Sequence, residues 1–179
     1  FRGATWLVAV DDDADPDTWT RVARLAGDCG ARVVAATSAE HDAAVARISH
    51  LPHVLAEALA VAGASGGALA LSLAAGSFRD GTRVAGTAPD LVRAICEPNR
   101  DALLPVLEEC LVLLTAARDT LRDDDELGPL VDAGHLARSA YEASAGGAPE
   151  TVSVVPGAAG WLEAAREAGR RGAAVTIAR

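Results

Sequence analysis

The sequence has no methionine, and aromatic residues make up only 3% of its 179 positions. A sandwich of β-branched and aromatic strands has little to build with here, whereas abundant alanine favours close-packed helices. An α-rich fold is expected. Basic residues are scarce as well: 16 Lys and Arg against 25 Asp and Glu give a net charge of −9. With no basic cluster and no basic amphipathic face, neither a nucleic acid nor an anionic membrane surface is expected as a partner. An anionic small molecule would have to be met by a few placed cations. Cysteines are few and scattered. Cys29, Cys96 and Cys110 show no Cys-x-x-Cys spacing, so neither a disulfide framework nor a zinc site is indicated, and a reducing cytoplasm fits. No signal peptide is visible. The apolar run over 55–75 carries Glu57 and several glycines, and reads as buried helices instead of a membrane span.

What is present reads as strand, helix, strand at each end with helices between. Residues 4–10 are an apolar strand, so the chain, which opens on Phe1, is expected to start mid-fold. Asp15 can cap a helix whose first residue is Pro16, and residues 31–36 form a second strand. Asp11, Asp13 and Asp15 match the first ligand positions of a calcium loop. Pro16 stands where that loop needs glycine, and Val22 where it needs a bidentate glutamate, so a turn and helix cap is the reading. Thr37 and Glu40 form a capping box that opens a long helix over 39–61. A buried helix over 68–75, a polar loop over 77–83, and helices over 89–96, 98–121 and from the Asp123-Asp124-Asp125 turn to 143 follow. After the linker at 146–149, residues 151–155, 158–171 and 173–178 read as strand, helix and strand; this tail must pack on the bundle or on a partner chain.

The chemistry concentrates in Ser49-His50-Leu51-Pro52-His53, which holds two of the four histidines beside a helix-interior proline. At helical spacing Ser49 and His53 lie about 40° apart and His50 and His53 about 60° apart, so all three can face one cleft. A neutral imidazole there can take a proton while another holds a carboxylate. Pro52 removes a backbone donor, so the helix should bend at the histidines, and histidines capping freed carbonyls are the purely structural alternative. No third ligand supports a metal site. Arg79 and Arg83 flank a glycine-bearing loop where a guanidinium can take a carboxylate in bidentate fashion.

His41-Asp42, Ile48-Ser49-His50-Leu51-Pro52-His53, Phe78-Arg79-Asp80-Gly81-Thr82-Arg83-Val84-Ala85-Gly86, Pro89, and Asn99 before a leucine-rich helix together resemble the C-terminal part of the prephenate dehydrogenase family, over about residues 1–121. The resemblance implies a mainly α fold: a helical dimerisation and substrate domain over 38–145, preceded by a β-α-β remnant of a Rossmann-type domain over 1–37 and followed by a small α/β tail over 146–179. It implies a cytoplasmic homodimer that oxidises prephenate or arogenate with NAD or NADP and releases carbon dioxide. Carried over by motif, His53 is the catalytic contact to substrate, Ser49 and His50 line the cleft, and Arg83 binds a substrate carboxylate.

The departures are specific. Neither a Gly-x-Gly-x-x-Gly nor the His-Pro-x-x-Gly segment that carries the family's principal catalytic histidine occurs in these residues. Both are expected upstream of Phe1, so this chain alone is expected neither to bind the cofactor nor to turn over. Ala88 replaces an acidic residue usual in the family, and Val92 a tryptophan. These departures leave two further readings, a non-catalytic helical dimerisation or ligand-binding module and the helical half of another small-acid dehydrogenase.

Overall fold

Helix α1 (Pro16–Asp28) begins where Asp15 and Pro16 require. Asp15 accepts a hydrogen bond from the Thr18 amide at 2.8 Å, and Pro16 sits in the first turn, where a missing N–H leaves nothing unpaired. In the computed structural model, which describes residues 1–123, 126–147 and 150–178, α1 connects two parallel strands, β1 (Thr5–Ala9) and β2 (Arg32–Ala36), in register from Thr5 opposite Arg32 to Ala9 opposite Ala36. Asp11 serves as a second cap: its carboxylate accepts from the Ser38 amide at 2.9 Å and from the Ser38 hydroxyl at 2.6 Å.

A lone pair of strands cannot hold a core, and the partner that completes this one comes from the far end of the chain. Strand β3 (Thr151–Val154), helix α9 (Trp161–Arg170) and strand β4 (Ala174–Ile177) form a second parallel unit. Val154, Trp161, Ala165, Ala168 and Val175 share one core with Val8, Val10, Trp19, Ala23, Ala26 and Val33. The indoles of Trp19 and Trp161 meet edge to face, 5.6 Å between centroids. Residues 1–41 and 132–179 accordingly make one compact unit and residues 42–131 the other.

The two halves of this core are copies of one pattern. Trp19-x3-Ala23-Arg24-x-Ala26-Gly27-x2-Gly30-Ala31-x-Val33 recurs as Trp161-x3-Ala165-Arg166-x-Ala168-Gly169-x2-Gly172-Ala173-x-Val175. The copies also end their helices alike. Gly30 and Gly172 both take the left-handed conformation, at φ +76° and +73°. Ala31 donates to the Ala26 carbonyl at 3.0 Å and Ala173 to that of Ala168 at 2.9 Å, the wide closing bond of a glycine-terminated helix.

Helix α2 (Ser38–Val45) opens on the expected capping box. The Glu40 carboxylate accepts from the Thr37 amide at 2.8 Å and hydroxyl at 2.9 Å, and Arg170 of α9 donates to it at 2.7 Å. The Thr37 amide first, then Arg170, hold its acidity at about 2, down from an ordinary 4.5. A carboxyl depressed on folding adds stability above its unfolded value and loses it as pH falls through the folded one. The stability difference between wild type and Glu40→Gln is therefore expected to persist to about pH 4.5 and to vanish by about pH 2, read from the fluorescence of Trp19 and Trp161 in urea titrations.

The long helix expected over 39–61 is in fact three consecutive segments: α2, a π-helical turn Ala46–His50, and α3 (Leu51–Ala64). Then come α4 (Gly67–Ser72), α5 (Gly76–Gly81), a 3-10 turn Arg83–Gly86, α6 (Pro89–Cys96), α7 (Arg100–Arg122) and α8 (Gly128–Gly146). Asp124 and Asp125 of the expected acidic turn lie outside the described residues. Two expectations change. The polar loop at 77–83 is mostly helical, because Phe78 and Gly81 are anchored on α3: a Cβ added to Gly63 would lie 2.3 Å from the Phe78 ring, and one on Gly81 would lie 2.9 Å from Leu59. The helix near 68–75 is exposed, with Leu69 at 71% and Leu73 at 74%, because the core of residues 42–131 is confined to Ala46, Cys96, Leu103 and Val106 and the side chains around them. No helix among the described residues is long and apolar enough to cross a membrane.

Candidate functional site

The site grows out of the break between α2 and α3. Pro52 has no N–H to give, and the helix accommodates it by restarting: Pro52 lies in the first turn of α3, where no donor is missed. The turn before it widens, with the Leu51 amide reaching five residues back to the Ala46 carbonyl. A π turn of this kind inserts one residue into the helix and re-aims its side chains. The expected bend at the histidines therefore takes the form of a register change, which points Ala46 and His50 inward. The spacing of His50 to His53 stays nearly helical, while Ser49 belongs wholly to the widened turn.

His50 is 7% exposed, the one buried polar side chain among the described residues. Asn99 holds it: the Asn99 amide nitrogen lies 3.1 Å from His50 Nδ1 and donates at 2.9 Å to the Asp42 carbonyl. An amide nitrogen only donates, so a neutral His50 accepts at Nδ1 and keeps its proton on Nε2. Asn99 stood in the motif pattern without an assigned role. Its side chain makes no capping bond on α7, and that spare side chain is what ties α7 to the histidine turn. Arg47 of the same turn reaches α7 too, in a bidentate pair with Glu109 at 2.7 and 3.0 Å. Both partners are more than half exposed, so this pair contributes little.

His53 is half-buried in the first turn of α3, and its Nδ1 is enclosed without a hydrogen-bond partner among the described residues. Arg83 begins the 3-10 turn that packs against α3. It is exposed, and among the described residues no hydrogen bond or ion pair engages it. Arg79, by contrast, stands beside Asp80 at 3.5 Å and is 80% exposed, which makes it a surface residue. The structure thus brings Ser49, His50, His53 and the Arg83 turn onto one helical run. Such an arrangement can hold an anion at the arginine and exchange hydrogen bonds or a proton at the histidines.

Beyond the ends of β1 and β2, Asp11 and Glu40 act as helix caps.

A family model for the dimerisation domain of prephenate dehydrogenase matches residues 37–131, more than half of the chain and all of the site. Among curated proteins, a cyclohexadienyl dehydrogenase of Zymomonas mobilis is 38% identical over 100 residues, 54% of this chain and 34% of that protein. A prephenate dehydrogenase of Bacillus subtilis is 27% identical over 70% of this chain and 34% of its own. Among solved structures, a Corynebacterium glutamicum protein provisionally described as a prephenate dehydrogenase superposes on 99% of this chain with a TM-score of 0.94 and 41% identity, and 58% of it is covered. The arogenate dehydrogenase of Synechocystis gives a TM-score of 0.71 and 30% identity over 79% of this chain and 53% of its own. The chain spans about a third of the length of these curated relatives. With the motif pattern, the helical fold and the family model all in agreement over the same residues, the chain belongs to the prephenate dehydrogenase family.

Proposed function

We propose that this chain is the substrate-side part of an NAD- or NADP-dependent dehydrogenase that converts prephenate, or arogenate, to an aromatic product with release of carbon dioxide. The observation that carries the reading is the attachment of His50, His53 and the Arg83 turn to one helical run, the π turn and α3. Loss of hydride from the ring carbinol carbon leaves a dienone, and breaking the bond to the ring carboxylate returns its electron pair to the ring, which becomes aromatic. The nicotinamide cofactor of the complete enzyme supplies the hydride acceptor. These residues supply the other wall: Arg83 takes a substrate carboxylate, His53 contacts the substrate, and Ser49 and His50 line the cleft.

The same residues 42–131 serve as a homodimer interface. Leu111, Leu113, Leu114 and Leu121 of α7 are each at least half exposed, apolar side chains that a partner subunit would cover. The three cysteines are free, which suits the reducing cytoplasm of a biosynthetic enzyme.

Arg83→Ala in the complete enzyme is expected to weaken prephenate binding by about 30- to 100-fold, the loss of a bidentate guanidinium–carboxylate pair worth about 2–3 kcal/mol, and Arg83→Lys to recover only part of it. Prephenate affinity unchanged in Arg83→Ala removes the assignment. A second reading, a helical ligand-binding module without chemistry, is favoured by Ala88 and by Val92, which is half-buried against the core that includes Cys96. Saturable prephenate binding by the complete protein without NADH or NADPH formation would select that reading.

A further inference from the structure

Asn99 can face the histidine turn in only one way. Its Nδ2 lies 2.9 Å from the Asp42 carbonyl oxygen and 3.1 Å from His50 Nδ1. A carbonyl oxygen only accepts, so the amide atom placed at Asp42 has to be the nitrogen; the reverse orientation would set oxygen against oxygen. That nitrogen carries two hydrogens, and two acceptors receive them, the Asp42 carbonyl and His50 Nδ1. Asp42, His50 and Asn99 all belong to the compact unit of residues 42–131.

The amide is held from behind. The Asn99 backbone carbonyl accepts from the Leu103 amide at 3.0 Å, which ties the residue into the first turn of α7. Leu103 is buried in the same small core as Ala46, the first residue of the π turn. Asp42 stands in the last turn of α2, just ahead of that turn. The Asn99 side chain therefore runs from one packed element to backbone and ring of the next, and the ring it meets is itself buried.

The contact has a direction. A proton on His50 Nδ1 would set donor against donor, so the imidazole keeps its hydrogen on Nε2. A neutral imidazole offers one lone pair in the plane of the ring, and here Asn99 has taken it. A general base needs that lone pair open.

We propose that Asn99 is a positioning residue: it fixes His50 as a hydrogen-bond donor at Nε2, so that His50 meets the substrate only through an acceptor oxygen and removes no proton from it. The inference rests on the assignment of His50 to the substrate cleft.

The test uses the complete protein with isotope-labelled histidine. Long-range proton–nitrogen correlation spectra, with the His50 signals identified by their loss in His50→Ala, are expected to show Nδ1 without a proton and Nε2 with one. Asn99→Asp replaces the donor by a carboxylate of nearly the same shape, and Nδ1 is then expected to gain a proton. Neither reading needs substrate. Prephenate kcat/KM is expected to fall about tenfold in Asn99→Ala, the scale of one lost hydrogen bond. In a His50→Ala background the same substitution should cost less than twofold, because a residue that acts through the imidazole has nothing to act on once the ring is gone. A proton on Nδ1 in the wild type overturns the proposal, and so does an Nδ1 that stays bare in Asn99→Asp. Equal losses in the two backgrounds overturn it as well, since they mean that Asn99 serves the fold through Asp42 alone. Absence of prephenate turnover in the wild type would overturn the proposed function instead, and the ring spectra would still decide what Asn99 does to His50.

Discussion

Gly169→Ala is expected to destabilise the unit made of residues 1–41 and 132–179 by about 3 kcal/mol, lowering its melting temperature by roughly 10–20 °C, whereas Gly27→Ala should leave stability unchanged or raise it by up to about 1 kcal/mol. The two glycines hold equivalent positions in the two copies of the repeat, each the last residue but one of its helix, α9 and α1. An ideal Cβ on Gly169 would lie 1.7 Å from the Ala35 carbonyl oxygen and 2.9 Å from its carbon. That neighbour is backbone in the middle of β2, with no rotamer to change, so the helix itself would have to move off the strand. The shift would strip contact from Ala165 and Ala168, both fully buried, and disturb the Trp19–Trp161 pair. At Gly27 the same added atom meets nothing within 4 Å, and alanine then gains helix propensity without a clash. Thermal melts of both variants check the contrast. If Gly169→Ala melts within a few degrees of wild type, the close seat of α9 on β2 is wrong.

That pair of glycines also shows what the sequence conveyed and what it withheld. Local signals were strong. Asp15 with Pro16, Thr37 with Glu40, and Pro89 mark helix starts that the structure keeps, because capping is decided by residues within one turn. The strands at both ends were equally legible as short apolar runs. Which elements share a core was not, since apolar periodicity tells how a segment faces and not what it faces. The signal that would have paired the ends was the repeated spacing from Trp19 and from Trp161, a long-range pattern invisible to a reading that moves along the chain. The histidines and Arg83 were singled out by motif, and the structure adds the local geometry around the histidines: a π turn before Pro52 and an asparagine diverted from capping. Neither follows from helical spacing, which assumes an unbroken register. The polar stretch at 77–83 failed as a loop for a similar reason. Its helix is stabilised by Phe78 on Gly63, a contact made by tertiary packing.

His53→Ala in the complete enzyme is expected to lower kcat/KM for prephenate by about 10- to 100-fold, and His53→Gln to restore most of the loss. The size follows from a hydrogen bond to a charged ligand, worth about 1.5–3 kcal/mol. The rescue follows from the geometry of the ring. Nδ1 is enclosed and has no partner among the described residues, and in the proposed role Nε2 is the nitrogen that meets the substrate, as donor or acceptor. A glutamine amide reaches about as far as Nε2 and can do either, but it cannot carry a proton away. The two variants therefore separate contact from acid–base work. Recovery in KM and kcat together means that His53 holds substrate by hydrogen bonding and that the proton moves elsewhere. Recovery of KM with kcat still depressed by more than tenfold would mean that the proton moves at His53, and would shift the chemistry onto this wall of the cleft.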